Sequence, residues 1–480
     1  MAAPLILLPF LAAVLALAFP PGSGRPLRPW LFPLLGCANM ALTLAALSGA
    51  EIWPCGPWLA LDAPGRVVLL LIALLYLFCS FYAVGYLRTR MESANRVFCA
   101  CLMAALGVMN MVVFSQHLGG MWVAVEATTL LTAPLIYFKR TRESIEATWK
   151  YLLVGSVGIA MALLGTFFLA YSMLHAGIDA PLAMADMIRN APLLSKPWVR
   201  AAFVLLLVGY GTKMGLAPMH TWKPDAYGEA PGVVGALLAG GVTSCAFLAL
   251  VRVTRICQVA GEGAFASRLL LCLGLLSMAA AAVFMVGQRD LKRMLAYSSV
   301  EHMGILSLGL GLGGAALFGT MLHVLANGLT KGLLFLAAGN IHRAYASKNT
   351  DQVRGAIRRL PLSGSLFLAA FLALAGSPPF VPFTSEFAIL MGSFDAGRFV
   401  IGGLYLLLLL AVFTGMSQTV LRAVLGRAPA QAGRAVWREG LLTAAPPALL
   451  MLLVLVLGVW LPEPLEFLLR DAAASLEALP

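Results

Sequence analysis

Three ionisable side chains lie within long apolar runs of this chain, and their chemistry is the gain and loss of a proton. Lys213 follows AAFVLLLVGYG, Glu126 lies within MWVAVEATTLLTAPLI, and Lys331 lies within MLHVLANGLTKGLLFL. A charge at the centre of a membrane helix costs about 2.5–3.5 kcal/mol on insertion scales, so residues of this kind indicate function. A lone buried carboxylate is unfavourable unless it is paired. We therefore expect Lys213 to be the partner of Glu126 if their helices pack together; the alternative for Glu126 is an interfacial carboxylate near a helix end.

A second polar cluster is predicted from two consecutive segments. The first carries Glu301 and His302, and the next carries polar residues at regular intervals. Glu301 and His302 are adjacent in AYSSVEHMGILSLG, so they point about 100° apart on a helix and need not face the same cavity. His323, Asn327 and Lys331 are spaced four residues apart and form one stripe about 12 Å long. Imidazole titrates near neutrality, which suits a proton relay along water. A hydrogen-bonded packing role is the alternative for the histidines.

Glu386, in TSEFAIL, would end this stripe. Acids and amines then alternate across the membrane plane, and each charge biases the protonation of the next. A purely structural ladder of ion pairs is the competing interpretation, which the unequal spacing of the residues disfavours. We call the whole set the polar row: Glu126, Lys213, Glu301, His302, His323, Lys331 and Glu386.

Composition identifies the elements that hold these groups as membrane helices. The 480 residues are 61% hydrophobic and 11% charged, with a mean hydropathy of +0.90. A soluble protein would carry about twice that charged fraction. The net charge of +12 is then loop charge that orients helices, and nucleic acid is not predicted as a partner. The eight cysteines include no CxxC pair and no Cys/His cluster, so we expect neither a metal nor a cofactor on this chain.

Apolar stretches of about 18 or more residues recur along the chain and predict an all-α, polytopic membrane protein with about 14 transmembrane helices. No soluble domain interrupts them. The predicted spans are 2–19, 30–49, 66–87, 97–116, 118–138, 147–174, 198–224, 231–254, 267–287, 292–312, 314–341, 363–394, 399–423 and 440–468.

Spans seven and twelve are predicted to be broken in the same way. Span seven is interrupted by Gly215 and Pro218, and span twelve by Gly376 and neighbouring prolines. Paired interruptions of this kind indicate an inverted repeat with ion sites at its breaks; two unrelated proline kinks are the alternative. We therefore expect two inverted five-helix repeats between an N-terminal group of three helices and a final helix. The corresponding divisions are 1–96, 97–260 (helices 4–8), 261–425 (helices 9–13) and 426–480.

Lys and Arg residues predict the orientation of the chain. Of the 33, 22 lie in or beside connections that follow odd-numbered spans, Lys223 among them, and eight lie beside even-numbered ones. The positive-inside rule then places the odd-numbered connections in the cytoplasm and both termini outside. Arg470 follows the last span, and the remaining two, Lys213 and Lys331, lie in the interior of spans.

Several motifs resemble one family of membrane subunits. HTWKPDAYGEAP, YSSVEHMG, KGLLFLAAGNI and TSEFAIL are similar to the antiporter-like subunits shared by complex I, Mrp antiporters and energy-converting nickel–iron hydrogenases. The resemblance covers spans four to thirteen, and the adjacent Glu301 and His302 are most like the hydrogenase-4 component F group. It implies fourteen helices, two inverted repeats and broken helices seven and twelve. It further implies a Glu/Lys pair, a central Lys and a terminal acid, here Glu126 with Lys213, Lys331 and Glu386.

One position departs from that family. In GALLAGGVTSCAFLAL, many members have Lys or His where this chain has Ser244. A hydroxyl can hold water but cannot store a proton near pH 7. The first half of the polar row is therefore expected to depend on water near Ser244, or not to conduct. His220, within the break of span seven, is a further candidate proton carrier.

These observations predict a subunit that translocates protons, or protons coupled to sodium, within a hydrogenase-type respiratory complex. No flavin, quinone, haem or cluster motif is present, so this would be a non-catalytic pumping subunit of a membrane oxidoreductase. The predicted partners are other membrane subunits, soluble nickel–iron and iron–sulfur subunits, and the lipid bilayer of a bacterial or archaeal inner membrane. An antiporter-like subunit of complex I or of an Mrp antiporter is the alternative. A stand-alone solute transporter is less favoured because the polar groups form one line rather than a roomy cavity, and a membrane enzyme lacks a nucleophile or ligand cluster.

Overall fold

The computed structural model describes residues 2–18, 27–49, 56–88, 95–427 and 437–477. Within these ranges the chain is helical, and its extended pairings are three isolated bridges. Five-residue π-helical turns, Leu238–Val242 and Gln258–Glu262, join α10 to α11 and α11 to α12 in the numbering that follows. The helices are α1 Ala2–Ala18, α2 Leu31–Leu47, α3 Ala63–Arg88, α4 Arg96–Phe114, α5 Leu118–Ile136, α6 Arg142–His175, α7 Met184–Asn190, α8 Lys196–Met214, α9 Trp222–Glu229, α10 Gly232–Leu237, α11 Thr243–Cys257, α12 Gly263–Met285, α13 Leu291–Leu312, α14 Ala316–Tyr345, α15 Ala356–Arg359, α16 Pro361–Leu374, α17 Val381–Asp395, α18 Phe399–Leu425, α19 Leu441–Val459 and α20 Glu463–Glu477.

The all-α membrane architecture expected from composition is confirmed. Nine helical segments of the described ranges are long and apolar enough to cross a membrane, and one of them, Gly232–Met285, contains predicted spans eight and nine. Two more apolar helices, α1 and α16, are shorter than a full crossing. Each predicted span contains a helix or a pair of helices. The number of fourteen crossings and the division into two inverted repeats stay predictions.

The last predicted span, 440–468, is too long. Helix α19 ends at Val459, where Trp460 takes an extended conformation with φ −142° and ψ 119°. A separate amphipathic helix, α20, follows and is tied to α3 by an ion pair between Asp471 and Arg66 at 3.3 Å. Its apolar stripe faces the protein through Leu469, Ala472, Ala473 and Leu476.

Helix α14 is the central element of the fold. Its most apolar 18 residues are all buried by protein, so its neighbours are other helices rather than lipid. Contact with α10 and the π-helical turn is close, because glycines allow the backbones to meet. A Cβ on Gly232 would lie 2.6 Å from the Phe335 carbonyl oxygen, and one on Gly240 would lie 2.9 Å from the Gly328 carbonyl oxygen. Small residues therefore bring this helix against the first half of the chain.

Glycines also allow α6 to pack closely against α8. A Cβ on Gly158 would lie 2.6 Å from Thr212 Cβ, and one on Gly209 would lie 2.7 Å from the Ala162 nitrogen. This close approach places Tyr151 of α6 beside the last turn of α8. The helix pair thus positions a phenol next to the predicted Lys213 site.

Both predicted helix breaks are present, and the chain satisfies the freed backbone groups. Helix α8 ends at Gly215, whose φ is +79°, and α16 is followed by Gly376, whose φ is +68°. At the first break the Ala217 N–H donates to Ser277 Oγ at 2.9 Å, and the Trp222 indole donates to the Thr212 carbonyl at 2.9 Å. Irregular backbone at membrane depth is stable only where protein or water satisfies it in this way.

Candidate functional site

Lys213 is buried in the last turn of α8, immediately before the first break. Its Nζ donates hydrogen bonds to Thr129 Oγ1 at 2.5 Å and to the Tyr151 hydroxyl at 3.0 Å. The Thr132 hydroxyl bonds the same Tyr151 oxygen at 2.7 Å. Nζ also lies 4.9 Å from the centre of the Tyr151 ring, which is a cation–π distance. Hydroxyl groups of α5 and α6, rather than a carboxylate, therefore hold this amine.

Glu126 does not form the expected direct ion pair with Lys213. Its Oε2 accepts a hydrogen bond from Thr129 Oγ1 at 3.1 Å and its Oε1 accepts one from Ser156 Oγ at 3.0 Å, while part of the side chain stays accessible. Thr129 thus accepts from the amine and donates to the acid. A hydroxyl can do both at once, so acid and amine are joined by one hydroxyl bridge.

In the second half, α13, α14 and α17 bring two histidines and a serine into one hydrogen-bonded chain. His302 Nδ1 lies 3.0 Å from His323 Nε2, and His323 Nδ1 lies 2.9 Å from Ser385 Oγ. The Ser385 hydroxyl donates to the Pro382 carbonyl at 2.8 Å, so it accepts from His323. A neutral His323 then accepts at Nε2 from His302, a proton assignment that follows from the network. The chain of hydrogen bonds therefore has a direction.

Lys331 and Asn327 continue the stripe of α14, as the spacing predicts. Lys331 Nζ hydrogen-bonds the Ser298 hydroxyl and donates to the Leu295 carbonyl at 3.4 Å. One turn away, Asn327 is buried, and neither end of its amide has a protein partner within the described residues. Buried amides are almost always hydrogen-bonded, so this position suits bridging water.

The two carboxylates of the second half face different spaces. Glu386 Oε1 lies 3.9 Å from His302 Nδ1, and its other oxygen lies over Gly376, where a Cβ would collide with it. Glu301 instead faces a small apolar cavity lined by α16 and α18. Glu301 and His302 thus face different spaces, as their adjacent positions on one helix allow.

His302, His323 and Glu386 also make up a set of possible metal ligands, since their ligand atoms all lie within 4.8 Å of one another. Two imidazoles and one carboxylate suit several divalent metals. In this structure, however, the facing histidine nitrogens are engaged with each other at 3.0 Å. The arrangement therefore fits hydrogen-bond transfer better than ligation.

Ser244 and His220 lie apart from these clusters. The Ser244 hydroxyl donates to the carbonyl of Gly240 in the preceding π-helical turn at 2.6 Å, so its proton is engaged within its own helix. His220 is buried in the first break, and its ring packs 6.0 Å from Phe284 and 6.3 Å from Tyr297. Both residues stay predictions as proton carriers.

A polar cavity of about 570 Å³, which we call the vestibule, lies at α9, at the first turns of α6 and α13 and at the last turn of α14. Most of its charges are paired. Asp225 bonds Lys150 at 2.9 Å and Arg293 at 2.8 Å, and Lys348 bonds both Glu229 and Asp290. All of these elements flank connections that follow odd-numbered predicted spans.

Two buried amines, Lys223 and Lys292, carry no signal in the sequence because polar or proline neighbours surround them. Lys223 in α9 exposes none of its surface, and its Nζ donates to Ser299 Oγ at 3.0 Å. Lys292 in α13 donates to the Ala230 carbonyl at 2.8 Å. Counting them as loop charges was therefore wrong, since α9 and the start of α13 are enclosed by other helices.

The comparison with known families follows this geometry. Residues 115–416 match the transmembrane family described as NADH:quinone oxidoreductase/Mrp antiporter. The chain belongs to this family. The resemblance expected from the motifs is thereby confirmed, and the chain is an antiporter-like membrane subunit. The matched range contains every residue of the polar row.

Individual relatives and solved structures are also similar to this chain. A hydrogenase-4 component F homolog of Methylacidiphilum infernorum (isolate V4) is 34% identical over 403 residues, which cover 82% of this chain and 83% of the relative. A chain of Thermus thermophilus respiratory complex I with bound aureothin has a TM-score of 0.78 at 28% identity, covering 96% and 97% of the two chains. A chain of the archaeal membrane-bound sulfane sulfur reductase has a TM-score of 0.89 at 20% identity, covering 100% and 98%, which concerns the fold alone.

Proposed function

We propose that this chain relays protons, alone or coupled to sodium, through the membrane part of a hydrogenase-type respiratory complex. The observation that carries the proposal is the placement of Lys213 and Lys331. Both amines are buried, and within the described residues both are held by hydroxyls without a carboxylate in ion-pair distance. A buried amine without a carboxylate partner is costly, so its presence indicates function.

Each cluster has a part in the relay. Glu126, Thr129 and Lys213 form the first transfer group, in which one hydroxyl joins acid and amine. Lys331 is the central carrier. The His302–His323 pair then leads toward Glu386 as the terminal acid. Proton transfer along such a row needs only short hydrogen bonds and bridging water, both of which a polar buried path supplies.

The vestibule is the proposed entrance on the cytoplasmic side. It lies at connections that the distribution of Lys and Arg assigns to the cytoplasm, and both termini would then lie outside the inner membrane of a bacterium or archaeon. Its paired acids and bases can hold protons close to α9, whose Asp225 and Glu229 line the cavity. Mutually paired charges of this kind also keep the surface hydrated.

The proposed partners are further membrane subunits and soluble nickel–iron and iron–sulfur subunits that carry the redox chemistry. The similarity to a hydrogenase-4 component F homolog over most of both chains supports the hydrogenase type. Assembly with complex I or Mrp partners is the less favoured candidate. Purification of the assembled complex followed by metal analysis decides between them, because the hydrogenase type requires nickel to co-purify.

The relay is tested with Lys213→Ala and Lys331→Met in membrane vesicles that contain the whole complex. Proton flux should fall by about a hundredfold in each, in line with the contribution of a positioned proton-transfer group. Flux is followed with a pH-sensitive dye and normalised to the amount of assembled complex. Because the redox site lies elsewhere, electron transfer in detergent should be unchanged.

Lys196→Met is the matched control. Lys196 begins the same helix α8 that Lys213 ends, and it is exposed. Its loss should leave flux unchanged. Undiminished flux in both Lys213→Ala and Lys331→Met would refute the relay, and loss in only one of them would refute a relay that uses both halves.

A further inference from the structure

A buried amine lies between the two halves of the polar row, at a place where sequence reasoning put a surface charge. Lys223 is the second residue of α9 and exposes none of its surface. Its Nζ donates to Ser299 Oγ at 3.0 Å and to the Ser299 carbonyl at 3.4 Å, and it lies 5.8 Å from the centre of the Tyr227 ring. Within the described residues no carboxylate comes within ion-pair distance of it. The environment matches that of Lys213, whose amine is also held by hydroxyls beside a tyrosine ring.

Lys223 occupies the same structural niche at the first break as Glu386 does at the second. Each break contains a glycine with positive φ, Gly215 or Gly376. A Cβ on Gly215 would collide with the side chain of Lys223, and a Cβ on Gly376 would collide with the carboxylate of Glu386. In both breaks the helix that follows therefore sends an ionisable side chain back over the glycine.

Adjacent serines of α13 link Lys223 to the second half. Ser299 accepts the hydrogen bond of Lys223, and Ser298 is the hydroxyl partner of Lys331. The two lysines thus reach neighbouring residues of one helix from different sides. The Ser298 hydroxyl also donates to the Leu295 carbonyl at 3.0 Å, so passage between the two serines requires bridging water.

Ser244, near which the first half of the row was expected to depend on water, cannot store a proton near pH 7. Its hydroxyl donates to the Gly240 carbonyl at 2.6 Å. The row then needs another titratable group between Lys213 and Lys331. Lys223 is buried, polar-partnered and placed between them.

We propose that Lys223 carries the proton between the two halves, an inference that rests on the relay proposed above. The amine takes up a proton passed on from the Lys213 side and releases it toward Lys331 by way of the Ser299 and Ser298 hydroxyls or water beside them. Only N–H and O–H bonds form and break, and one proton leaves for each that arrives. The competing role is a fixed cation that pins the first break to α13.

Lys223→Met, Lys223→Arg and Lys223→His separate these roles in vesicles that contain the whole complex. Arginine keeps the charge and the donors but does not release a proton in proteins, whereas histidine can exchange one. A carrier predicts that flux falls at least about tenfold in both the Met and the Arg variants and recovers partly in the His variant. A fixed cation predicts normal flux in Lys223→Arg.

Assembly is measured for each variant from the amount of complex in the membrane, and flux is expressed per assembled complex. Full flux in Lys223→Met or in Lys223→Arg would overturn the inference. If the larger arginine prevents assembly, the flux of Lys223→His is compared with that of Lys223→Met. Equal flux in these two variants would overturn the inference. Lys213→Ala and Lys331→Met belong in the same series: if they lose flux while Lys223→Met keeps it, the inference fails and the relay stands, and if none loses flux, both fail.

Discussion

The two helix breaks have the same backbone feature but ionisable side chains of opposite charge. At each break a glycine with positive φ makes room for a side chain of the following helix: the amine of Lys223 at Gly215 and the carboxylate of Glu386 at Gly376. The first break has a second amine, Lys213, just before its glycine, whereas the second has Leu374 at the equivalent place. One end of the row is therefore rich in amines and the other ends in an acid. Two breaks with similar backbone geometry thus differ in the group that binds a proton, because a single side chain differs.

The surroundings of the two breaks differ as well. Lys213 is surrounded by hydroxyls and linked through Thr129 to a partly accessible carboxylate. Glu386 faces a pair of fully buried imidazoles. The first half therefore has a carboxylate that is partly accessible, whereas the carboxylate and imidazoles of the second half are enclosed.

The largest effect is expected from Glu386→Gln, which removes the acid of the second break and keeps its shape. Proton flux should fall by about a hundredfold, because the amide cannot act as the terminal proton acceptor. Flux of assembled complex in vesicles is the measurement. Glu466→Gln, on exposed α20, is the matched control and should be neutral. An equal loss in the two variants would show that the second break has no special role.

A smaller effect is expected from Gly215→Ala and Gly376→Ala. Each substitution fills the space over the glycine, the niche that Lys223 or Glu386 occupies. Each alanine should displace the side chain that lies over it and lower flux about tenfold, since small misplacements of reacting groups are costly. The positive φ adds a destabilisation of about 1–2 kcal/mol. Thermal unfolding in detergent and flux are measured together.

Gly397→Ala separates these two contributions. Gly397 has φ +67°, and no atom lies within 4 Å of the position that a Cβ would take, so alanine there brings the backbone strain alone. It should lower stability and leave flux per complex unchanged. If Gly397→Ala loses as much flux as the other two, the niches do not hold functional side chains.

The smallest effect is expected from Thr129→Val, which removes the hydroxyl bridge of the first half. Flux should fall about threefold, as for the loss of one hydrogen bond worth roughly 0.5–1.5 kcal/mol, since water can replace the bridge. Thr128→Val is the control, because that hydroxyl bonds only the Val125 carbonyl of its own helix. An unchanged flux in Thr129→Val would mean that Glu126 and Lys213 communicate by another path.

Much of the site could be predicted from the sequence because ionisable groups in apolar runs are conspicuous. Lys331, His323 and Glu386 were located in this way, and the four-residue spacing of α14 placed its stripe on one face. The helix breaks followed from glycine and proline. These features depend on neighbouring residues in the sequence, and the structure contains them where they were predicted.

Contacts between helices could not be predicted in the same way. Thr129 of α5 stands between Glu126 and Lys213 because α6 packs against both neighbours through glycines, Gly155 against Thr129 and Gly158 against α8. No single segment encodes this arrangement. Lys223 looked like loop charge because Pro224 and Asp225 follow it, yet the break folds it inward. The last span was overestimated because the apolar stripe of α20 extends the hydrophobic pattern beyond the turn at Trp460.

The length of α14 has an electrical consequence. Thirty residues at about 1.5 Å each make this helix about 45 Å long, close to the full thickness of a bilayer with its headgroups. Lys331 is the sixteenth of those residues, at the midpoint. A proton that reaches this amine from either face crosses roughly half of the transmembrane voltage, which amounts to about 1.2 kcal/mol per 100 mV. In the proposed relay, the transfer steps before Lys331 and those after it therefore each perform about half of the electrical work.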